Sequence, residues 1–255
     1  MQDFRNLDRQ EWHRRYLEQV RWTAHLRQYI FDKISLDPND SILEVGSGTG
    51  AILQSLLDEG YHNTIGIDLD CSSVVFSKNQ HQNFSQIIGD GHHLPFVSGK
   101  FAVSLCHFLL MWTPHPEQVL NEMQRVTHSG GWVLVLAEPD YQARIDFPPP
   151  LDLLGAFQTE SLQAHGIDPC IGRKLRSLFI QTGLIKIETG ILGAEWHHSA
   201  QMTIDPTEWT MLRADLEGHL SPNELSRFLQ QDEQARKMGT RVLFIPTFYA
   251  FGQVP

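Results

Sequence analysis

The sequence predicts an α/β fold: a doubly wound, mostly parallel sheet with helices on both faces. Residues 42–60 carry an apolar strand, three alternating glycines and an amphipathic helix, which is the layout of a nucleotide-binding crossover. Short apolar segments alternate with helical stretches as far as residue 137, as expected for parallel strands joined by crossover helices. Acids follow the second and third strands, at Asp68 and Asp90, where sheets of this class bind ligands.

Length and composition fit one domain that covers residues 1–255. Hydrophobic residues make up 41% of the chain, and 20 Lys+Arg against 30 Asp+Glu give a net charge of −10. This charge argues against a nucleic-acid partner, because binding to nucleic acid depends largely on neutralising phosphates. The sequence shows no signal peptide and no apolar run long enough to span a membrane, so a cytoplasmic protein is expected.

Cysteine and histidine form no recognisable disulfide or metal pattern. Cys71, Cys106 and Cys170 have no CxxC spacing and are interpreted as reduced thiols. The thirteen histidines include adjacent pairs but no HExxH or other ligand spacing. No metal site is therefore predicted.

Residues 8–34 are predicted to form one long N-terminal helix. Trp12, Tyr16, Val20 and other bulky side chains recur there every three or four positions. Two interpretations stay open. The helix packs on the sheet, or its aromatic residues close over a bound ligand together with Arg21 or Arg27.

The glycine turn after the first strand is compatible with two ligands. Gly46, Gly48 and Ala51 satisfy the dinucleotide fingerprint G-x-G-x-x-G/A, which is a weak signal by itself. Glu44, Gly46, Gly48 and Gly50 form E-x-G-x-G-x-G, in which an acid that suits a positively charged ligand stands beside the turn. Glycine lets the backbone bend tightly and lets a ligand approach it. A tight turn without a ligand is the third interpretation.

The second and third strands are predicted at residues 62–69 and 86–88, with a helix at 72–83 between them. Asp68 ends the second strand about twenty residues after the glycines, where an acid can accept hydrogen bonds from both ribose hydroxyls of a nucleoside. Its alternative role is to cap the next helix. Asp90 follows the third strand between two glycines, and in isolation it reads as a turn residue.

The fourth and fifth strands are predicted at residues 101–108 and 132–137. A helix at 116–126 and a turn at 128–131 connect them. The fourth strand ends at Cys106-His107-Phe108, which falls at the ligand-binding edge of such a sheet.

Four stretches in this order carry a family resemblance. They are the E-x-G-x-G-x-G turn, the strand-end acid Asp68, the Asp90 stretch ending in Leu94-Pro95-Phe96, and residues 117–141, which are similar to a segment written L-x-E-x-x-R-V-L-K-P-G-G. Over residues 41–139 the chain resembles the class I S-adenosylmethionine (SAM)-dependent methyltransferases of the small-molecule type, similar to those of ubiquinone and menaquinone biosynthesis. Thr127-His128-Ser129 replaces Leu-Lys-Pro in the last stretch, on the side far from the cofactor.

The resemblance implies SAM as cofactor, S-adenosylhomocysteine as product, and a seven-stranded sheet whose last strand is antiparallel. Asp68 would hold the ribose hydroxyls and Asp90 the adenine amino group. The cofactor-binding residues that it implies are Glu44, Gly46, Ser47, Gly48, Gly50, Asp68, Leu69, Asp90, Gly91, Cys106 and His107. The N/D-P-P-Y/F motif of enzymes that methylate amino groups of nucleic acids is absent, since residues 106–112 read CHFLLMW. A small-molecule acceptor is therefore expected.

Beyond residue 139 the sequence changes character. A proline run at 147–150 interrupts it, and helices at 151–165 and 173–182 are followed by a strand at 184–192. Two more helices, at 205–220 and 221–238, open with Asp-Pro and Ser-Pro. Residues 241–251 are predicted as one last strand. The segment between the last two strands, residues 195–240, is predicted to be a helical lid.

Methyl transfer by in-line displacement relies mainly on aligning the acceptor with the methyl group and the sulfur. The substrate-side candidates follow the fourth and fifth strands: His107, Glu138, Asp140 and Tyr141. No pattern marks any of them as a general base. Two alternatives are an NAD-dependent oxidoreductase and a SAM-binding protein without transfer activity.

The acceptor pocket is predicted between the strand ends, the N-terminal helix and the lid. Trp12, Tyr16 and Trp22 in the helix, with Trp196 and Trp209 in the lid, offer aromatic surface for a small ligand. Packing inside the protein is the alternative role for these residues.

Overall fold

The computed structural model describes residues 7–80, 83–193 and 206–255. In this part of the chain the helices are α1 (Arg9–Ile34), α2 (Ala51–Asp58), α3 (Cys71–Gln80), α4 (Pro116–Val126), α5 (Leu154–Ala164), α6 (Ile171–Gln181), α7 (Pro206–Leu216) and α8 (Pro222–Lys237). The strands are β1 (Ile42–Val45), β2 (Thr64–Asp68), β3 (Ser85–Ile88), β4 (Phe101–Cys106), β5 (Thr127–Pro139), β6 (Ile145–Phe147), β7 (Ile185–Leu192), β8 (Val242–Phe244) and β9 (Thr247–Gln253). Among these described helices, none is long and apolar enough to cross a membrane.

Seven of these strands form one sheet in the order β3-β2-β1-β4-β5-β9-β7. The pairs from β3 to β5 are parallel, whereas β9 runs antiparallel to both β5 and β7. The predicted doubly wound, mostly parallel seven-stranded sheet with an antiparallel last strand is confirmed. The strand order reverses at β1, because β2 lies on one side of it and β4 on the other. The carboxyl ends of these strands border the crevice where open α/β sheets bind ligands.

Helices cover both faces of the sheet, because its parallel strands are apolar on both sides. On one face the helices α1 and α2 pack through buried side chains that include Ile30, Phe31, Ile52 and Leu56. On the other face α4 and α6 pack through buried side chains that include Val119, Leu120, Met123, Leu175 and Phe179.

The N-terminal helix α1 has a defined start and a buried anchor. Asp8 and Glu11 form a capping box, in which each side chain accepts a hydrogen bond from the backbone N–H of the other. Arg27 is fully buried and pairs with Glu59 at 2.5 Å, just after the end of α2. Because a buried charge needs a partner, this pair fixes α1 against α2.

The chain beyond β5 corrects two expectations. The prediction of one strand over residues 241–251 is wrong, because β8 and β9 are separate strands there. Pro246 lies between them and has no N–H for a strand ladder, and its carbonyl accepts a hydrogen bond from the N–H of Asp140. β8 instead pairs with β6, a strand that the sequence did not predict. The predicted turn at residues 128–131 belongs to β5.

The helices α7 and α8 pack together with α5 and the residues just before it. Their shared buried side chains are Leu151, Leu154, Trp209, Leu212, Leu216 and Ala235. A buried ion network lies beside this cluster, in which Arg241 contacts both Asp146 and Asp232. Asp146 lies in β6, Asp232 lies in α8, and Arg241 directly precedes β8. The network therefore joins α8 to the two-stranded sheet of β6 and β8, because each of these buried charges needs its partner.

Candidate active site

A cavity of about 840 Å³ lies at the carboxyl ends of β1, β2, β3 and β4. Its walls come from the glycine turn, from the loops that follow the other three strands, and from the amino-terminal half of α1. Such a volume is within the range of pockets that hold a cofactor or a drug-sized ligand. Most of the residues predicted to bind the cofactor line this cavity: Glu44, Gly46, Ser47, Gly48, Asp68, Leu69, Asp90, Gly91 and His107.

The glycine turn requires glycine for conformational and steric reasons. Gly46, Gly48 and Gly50 have φ angles of 75°, 50° and 78°, which side chains rarely tolerate. A Cβ on Gly48 would lie 3.0 Å from the ring of Tyr16, and one on Gly50 would lie 2.4 Å from the ring of Phe84. Gly46 and Gly48 line the cavity, whereas Gly50 caps the start of α2 behind it.

Glu44 places a buried carboxyl group beside this turn. Its side chain is 2% exposed, and its Oε2 atom has no hydrogen-bond partner among the described residues. Burial, followed by the nearby charge of Asp68, raises the pKa of Glu44 well above 4.5. A buried acceptor without a partner is costly, and at a cavity wall it indicates a place for a ligand that donates a hydrogen bond.

Asp68 links the end of β2 to the glycine turn. Its Oδ2 accepts a hydrogen bond from the N–H of Gly48 at 2.6 Å, and its Oδ1 accepts one from the N–H of Asp70 at 2.8 Å. Burial raises the pKa of Asp68, while both N–H groups act in the opposite direction. Each carboxylate oxygen can accept a further bond, so the group can still receive hydroxyls of a ligand.

Asp90 belongs to a short polar chain at the end of β3. One of its oxygens accepts hydrogen bonds from the N–H and the Nδ1 of His92, the latter at 2.7 Å. His92 Nε2 in turn lies 2.6 Å from the hydroxyl of Thr113, in the loop after β4. The N–H of His92 holds the pKa of Asp90 below its usual value, so this carboxylate stays ionised. The chain of contacts ties two walls of the cavity together.

The amino-terminal half of α1 forms one wall of the cavity. His13 Nδ1 lies 2.8 Å from the hydroxyl of Thr49 in the glycine turn. The ring of Trp12 stacks on Tyr16 at 5.5 Å and meets Trp112 edge-on at 6.2 Å. All three aromatic residues line the cavity. They exclude water from one side of it.

Arg21, Arg27 and Trp22 were open candidates for the cavity wall, and the structure places them elsewhere. Arg21 pairs with Glu18 on the outer surface of α1. Arg27 lies buried behind the cavity, and Trp22 is 48% exposed. Closure over the site therefore comes from the aromatic residues of α1 rather than from these arginines.

The end of β4 contributes one of its two predicted residues. Cys106 is fully buried in the core and does not line the cavity. His107 does line it, and its Nε2 lies 3.1 Å from the hydroxyl of Thr23 in α1. Burial and then the charge of Arg27 lower the pKa of His107 to about 3, so its ring is neutral at physiological pH.

The structure does not bring Glu138, Asp140 or Tyr141 to the cavity wall. Glu138 is fully buried, and its carboxyl group accepts hydrogen bonds from three consecutive backbone N–H groups, at residues 109–111. Asp140 is also buried and forms an ion pair with Arg173. Tyr141 packs against the main hydrophobic core. The two acids thus hold the loop after β4 and the start of α6 in place.

The cavity wall also contains residues that the sequence analysis missed. They come from the loop after β4 and from the end of α5, and they include Trp112, Thr113, His165 and Ile167. The sequence shows an aromatic residue, Trp112, soon after the fourth strand, but it does not show that this side chain lines the cavity. Trp209 was predicted at the pocket and instead packs between α7 and α8, where its Nε1 donates to Asp232 at 2.9 Å. Trp196 lies outside the described residues.

Residues 43–135 match a family model described as a methyltransferase domain. This segment is a methyltransferase domain. The resemblance to class I SAM-dependent methyltransferases that the four motifs indicated is confirmed. The domain contains β1 to β4 and reaches into β5, so it includes every strand end around the cavity.

Known proteins similar to the methyltransferase domain agree with this assignment. Demethylmenaquinone methyltransferase of Renibacterium salmoninarum is 30% identical over 116 residues, which cover 46% of this chain and 48% of that protein. A candidate methyltransferase from an antibiotic biosynthesis pathway of Anabaena variabilis gives a TM-score of 0.61 at 15% identity, covering 90% of this chain and 97% of that one. Phosphoethanolamine N-methyltransferase 2 of Haemonchus contortus, in complex with SAM, gives 0.54 at 12% identity, covering 85% and 49%. The chain spans about half the length of the curated relatives that it matches.

Proposed function

We propose that this chain transfers a methyl group from SAM to a small-molecule acceptor. The observation that carries the proposal is the alignment of Glu44, Asp68 and Asp90 along one cavity, at the ends of three adjacent strands. SAM has an amino-acid end, a ribose and an adenine, and one carboxyl group is available for each. The SAM bound to the Haemonchus contortus relative adds support for this cofactor.

The residues present fit the chemistry of SAM. The unpartnered Oε2 of Glu44 suits the ammonium group of the amino-acid end. Asp68 suits the ribose hydroxyls, since both of its oxygens can still accept. Asp90 suits the amino group of adenine, as an ionised acceptor at the end of β3. Ser47, Leu69 and Gly91 line the cavity between them.

The glycine turn suits this ligand better than a dinucleotide. A pyrophosphate site needs free backbone N–H groups at the start of the helix. Here the N–H groups of Gly46 and Ser47 donate to Ile67, and that of Gly50 donates to Ser47. The N–H of Gly48 donates to Asp68. These four turn residues therefore offer no free N–H group to a pyrophosphate, and the relatives named above are methyltransferases rather than NAD-dependent enzymes.

Bound SAM would supply an electrophilic methyl group. The chain's own contribution is to align an acceptor with it and to keep water out. Trp12, Tyr16 and Trp112 form the apolar cover for this purpose. Among the described residues that follow β4 and β5, no carboxyl group lines the cavity, because Glu138 and Asp140 are held elsewhere. In-line displacement with positioning, rather than carboxylate base catalysis, fits this arrangement.

The acceptor is proposed to be a small molecule and not a nucleic acid. The net charge of −10 disfavours a phosphate backbone. Arg9 is the one arginine among the described residues that line the cavity, and it is paired with Asp70 at 3.1 Å. The segment 195–240 remains a proposed lid. From residue 208 onward, the side chains of α7 and α8 do not line the cavity, and residues 194–205 lie outside the described part.

Turnover tests this proposal. The protein is incubated with SAM labelled in the methyl group and a panel of acceptors that includes a demethylmenaquinol, an amine and an oligonucleotide. The proposal expects S-adenosylhomocysteine to form with a small acceptor and the label to appear in that acceptor. Binding of S-adenosylhomocysteine without transfer to any acceptor would favour the binding protein without transfer activity. Transfer to the oligonucleotide alone would contradict the small-molecule assignment.

A further inference from the structure

His107 lines the cavity at the end of β4. It directly follows β4, which pairs with β1 on the side opposite to β2. Its Nε2 contacts the hydroxyl of Thr23 at 3.1 Å. Its Nδ1 has no hydrogen-bond partner among the described residues and is not sealed from solvent. His107 lines the cavity, which gives this nitrogen a place for a ligand.

The contacts of Thr23 favour the tautomer of His107 that carries its proton on Nε2. Thr23 is completely buried, and its hydroxyl donates within α1 to the carbonyl of Gln19 at 3.1 Å or Val20 at 3.3 Å. The guanidinium of Arg27 donates to the same hydroxyl oxygen at 3.4 Å. A hydroxyl has one proton, so the oxygen that gives it to a helix carbonyl can only accept from His107. In this arrangement the hydrogen lies on Nε2 and Nδ1 keeps a lone pair, whereas a Thr23 hydroxyl that donated to Nε2 would place the hydrogen on Nδ1.

The charged groups around His107 keep its ring neutral. Arg27 faces it from α1, and burial together with this charge lowers the pKa of His107 to about 3. Glu44 on β1 and Glu138 on β5 belong to the strands that flank β4. Burial raises the pKa of both acids, that of Glu138 to about 8, which weakens the pull of these two groups on a proton at the imidazole.

We propose that His107 binds the methyl acceptor, with its Nδ1 accepting a hydrogen bond from an O–H or N–H group of that molecule. Thr23 is the positioning residue that sets the tautomer and the orientation of the ring. This inference rests on the proposed methyl transfer and narrows its substrate class. The acceptor atom is a hydroxyl oxygen or an amine nitrogen that still carries hydrogen, in a molecule that fits between aromatic side chains.

The chemical step balances without a protein base. A lone pair of the acceptor atom forms the bond to the methyl carbon, and the electron pair of the broken sulfur–carbon bond stays on sulfur. The acceptor then loses its proton to water, because an imidazole of such low basicity does not retain it. Nδ1 of His107 aligns the lone pair by holding the hydrogen on the same atom.

Nitrogen NMR on the ¹⁵N-histidine-labelled protein, saturated with S-adenosylhomocysteine, tests the tautomer directly. His107→Gln assigns the signal. The inference expects a protonated Nε2 and a bare Nδ1 that do not titrate between about pH 5 and pH 8. Thr23→Val should weaken this preference and shift the signal. Thr159→Val is the matched control, since Thr159 is also buried in a helix and donates to the carbonyl four residues earlier, at 2.8 Å. A proton on Nδ1, or titration near the usual histidine pKa, would overturn the proposal.

Kinetics separate this inference from the proposed function. Thr23→Val should bind S-adenosylhomocysteine within about twofold of the parent in calorimetry, because Thr23 does not line the cavity. Turnover of both His107→Gln and Thr23→Val with the acceptor found in the panel should fall about tenfold or more, the usual effect of losing one buried hydrogen bond. Parent-like turnover of His107→Gln would refute the role of His107. Failure of the parent itself to bind S-adenosylhomocysteine would instead refute the proposed function.

Discussion

Arg9 Nη2 lies 3.1 Å from a carboxylate oxygen of Asp70, and this ion pair joins the first turn of α1 to the loop after β2. The Nε of Arg9 also donates to the hydroxyl of Ser72 at 2.8 Å. The two contacts hold α1 across the mouth of the cavity, on the side where the ribose site is proposed. A ligand that enters or leaves by this side has to displace them.

The first prediction concerns Arg9→Gln. This variant should release S-adenosylhomocysteine several times faster, because the cover over the ribose side is less firmly held. Its free energy of unfolding should change by less than about 1 kcal/mol, since both partners are partly exposed. Stopped-flow displacement and urea unfolding measure the two quantities. Arg21→Gln is the control, because Arg21 pairs with Glu18 on the outer face of the same helix. Equal release rates in the two variants would remove Arg9 from the gate.

The second prediction concerns Asp68→Asn. The substitution keeps one acceptor for the backbone N–H groups but removes the charge and one acceptor oxygen. Affinity for S-adenosylhomocysteine should fall by about 1.5–3 kcal/mol, as expected for a hydrogen bond to a charged group. Isothermal calorimetry measures this. Asp58→Asn is the control, because Asp58 is exposed on α2 and accepts only from Gln54. Unchanged affinity in a folded Asp68→Asn protein would speak against the ribose assignment.

The third prediction uses the pKa of Glu44. Its pKa is raised well above 4.5, so the folded protein holds this proton more tightly than the unfolded chain. The stability that the group contributes is complete below about pH 4.5 and declines as the pH rises toward the raised pKa. Glu44→Gln should therefore be at least as stable as the parent at pH 8, measured by urea unfolding without ligand.

The same variant should bind S-adenosylhomocysteine about tenfold or more weakly, because glutamine has no negative charge to pair with the ammonium group and one acceptor oxygen fewer. Opposite effects on stability and on binding are typical of a residue placed for a ligand. A Glu44→Gln protein that is destabilised and still binds like the parent would indicate a purely structural role.

The fourth prediction contrasts this with Glu138→Gln. Glu138 is equally buried, but its oxygens accept three backbone N–H groups. An amide would turn its own N–H₂ toward one of these donors and leave it unpaired. We expect a loss of about 1–3 kcal/mol in the free energy of unfolding.

The difference in stability between the parent and Glu138→Gln should change with pH in a defined direction. Burial raises the pKa of Glu138 to about 8, so the parent loses part of its stability between its usual value of 4.5 and about 8. Glu138→Gln lacks that loss, and the stability difference between the two proteins should narrow as the pH rises through this window. A difference that stays constant would show that Glu138 does not titrate there.

The cavity wall at the ends of β1 and β2 could be predicted from the sequence because it is encoded locally. Gly46 and Gly48 form the turn after β1, and Asp68 stands at the end of β2. Parallel strands bring such ends together at one edge of the sheet. The acceptor side could not be predicted in the same way. Glu138 follows a strand as expected, yet three N–H groups from residues 109–111 capture it across a sequence separation of nearly thirty residues.

In the fold, too, the elements that depend on their own sequence could be predicted, and those that depend on a distant partner could not. The alternation of strands and helices predicts the sheet up to β5, because each element carries its own apolar pattern. The split of the last predicted strand depends on a partner elsewhere. Val242, at the start of β8, pairs with Phe147 in β6, and no periodicity in either segment reveals that pairing. The contact between His107 and Thr23 likewise joins residues 84 positions apart.

Calorimetry with S-adenosylhomocysteine and with NAD tests the central claim most directly. The glycine turn gives its N–H groups to Ile67, Ser47 and Asp68, and Glu44 offers an unpartnered acceptor, so we predict measurable binding of S-adenosylhomocysteine and none of NAD. The Asp68→Asn protein should lose most of that heat at the same concentrations. Tight binding of NAD without heat from S-adenosylhomocysteine would contradict the assignment of this cavity to SAM.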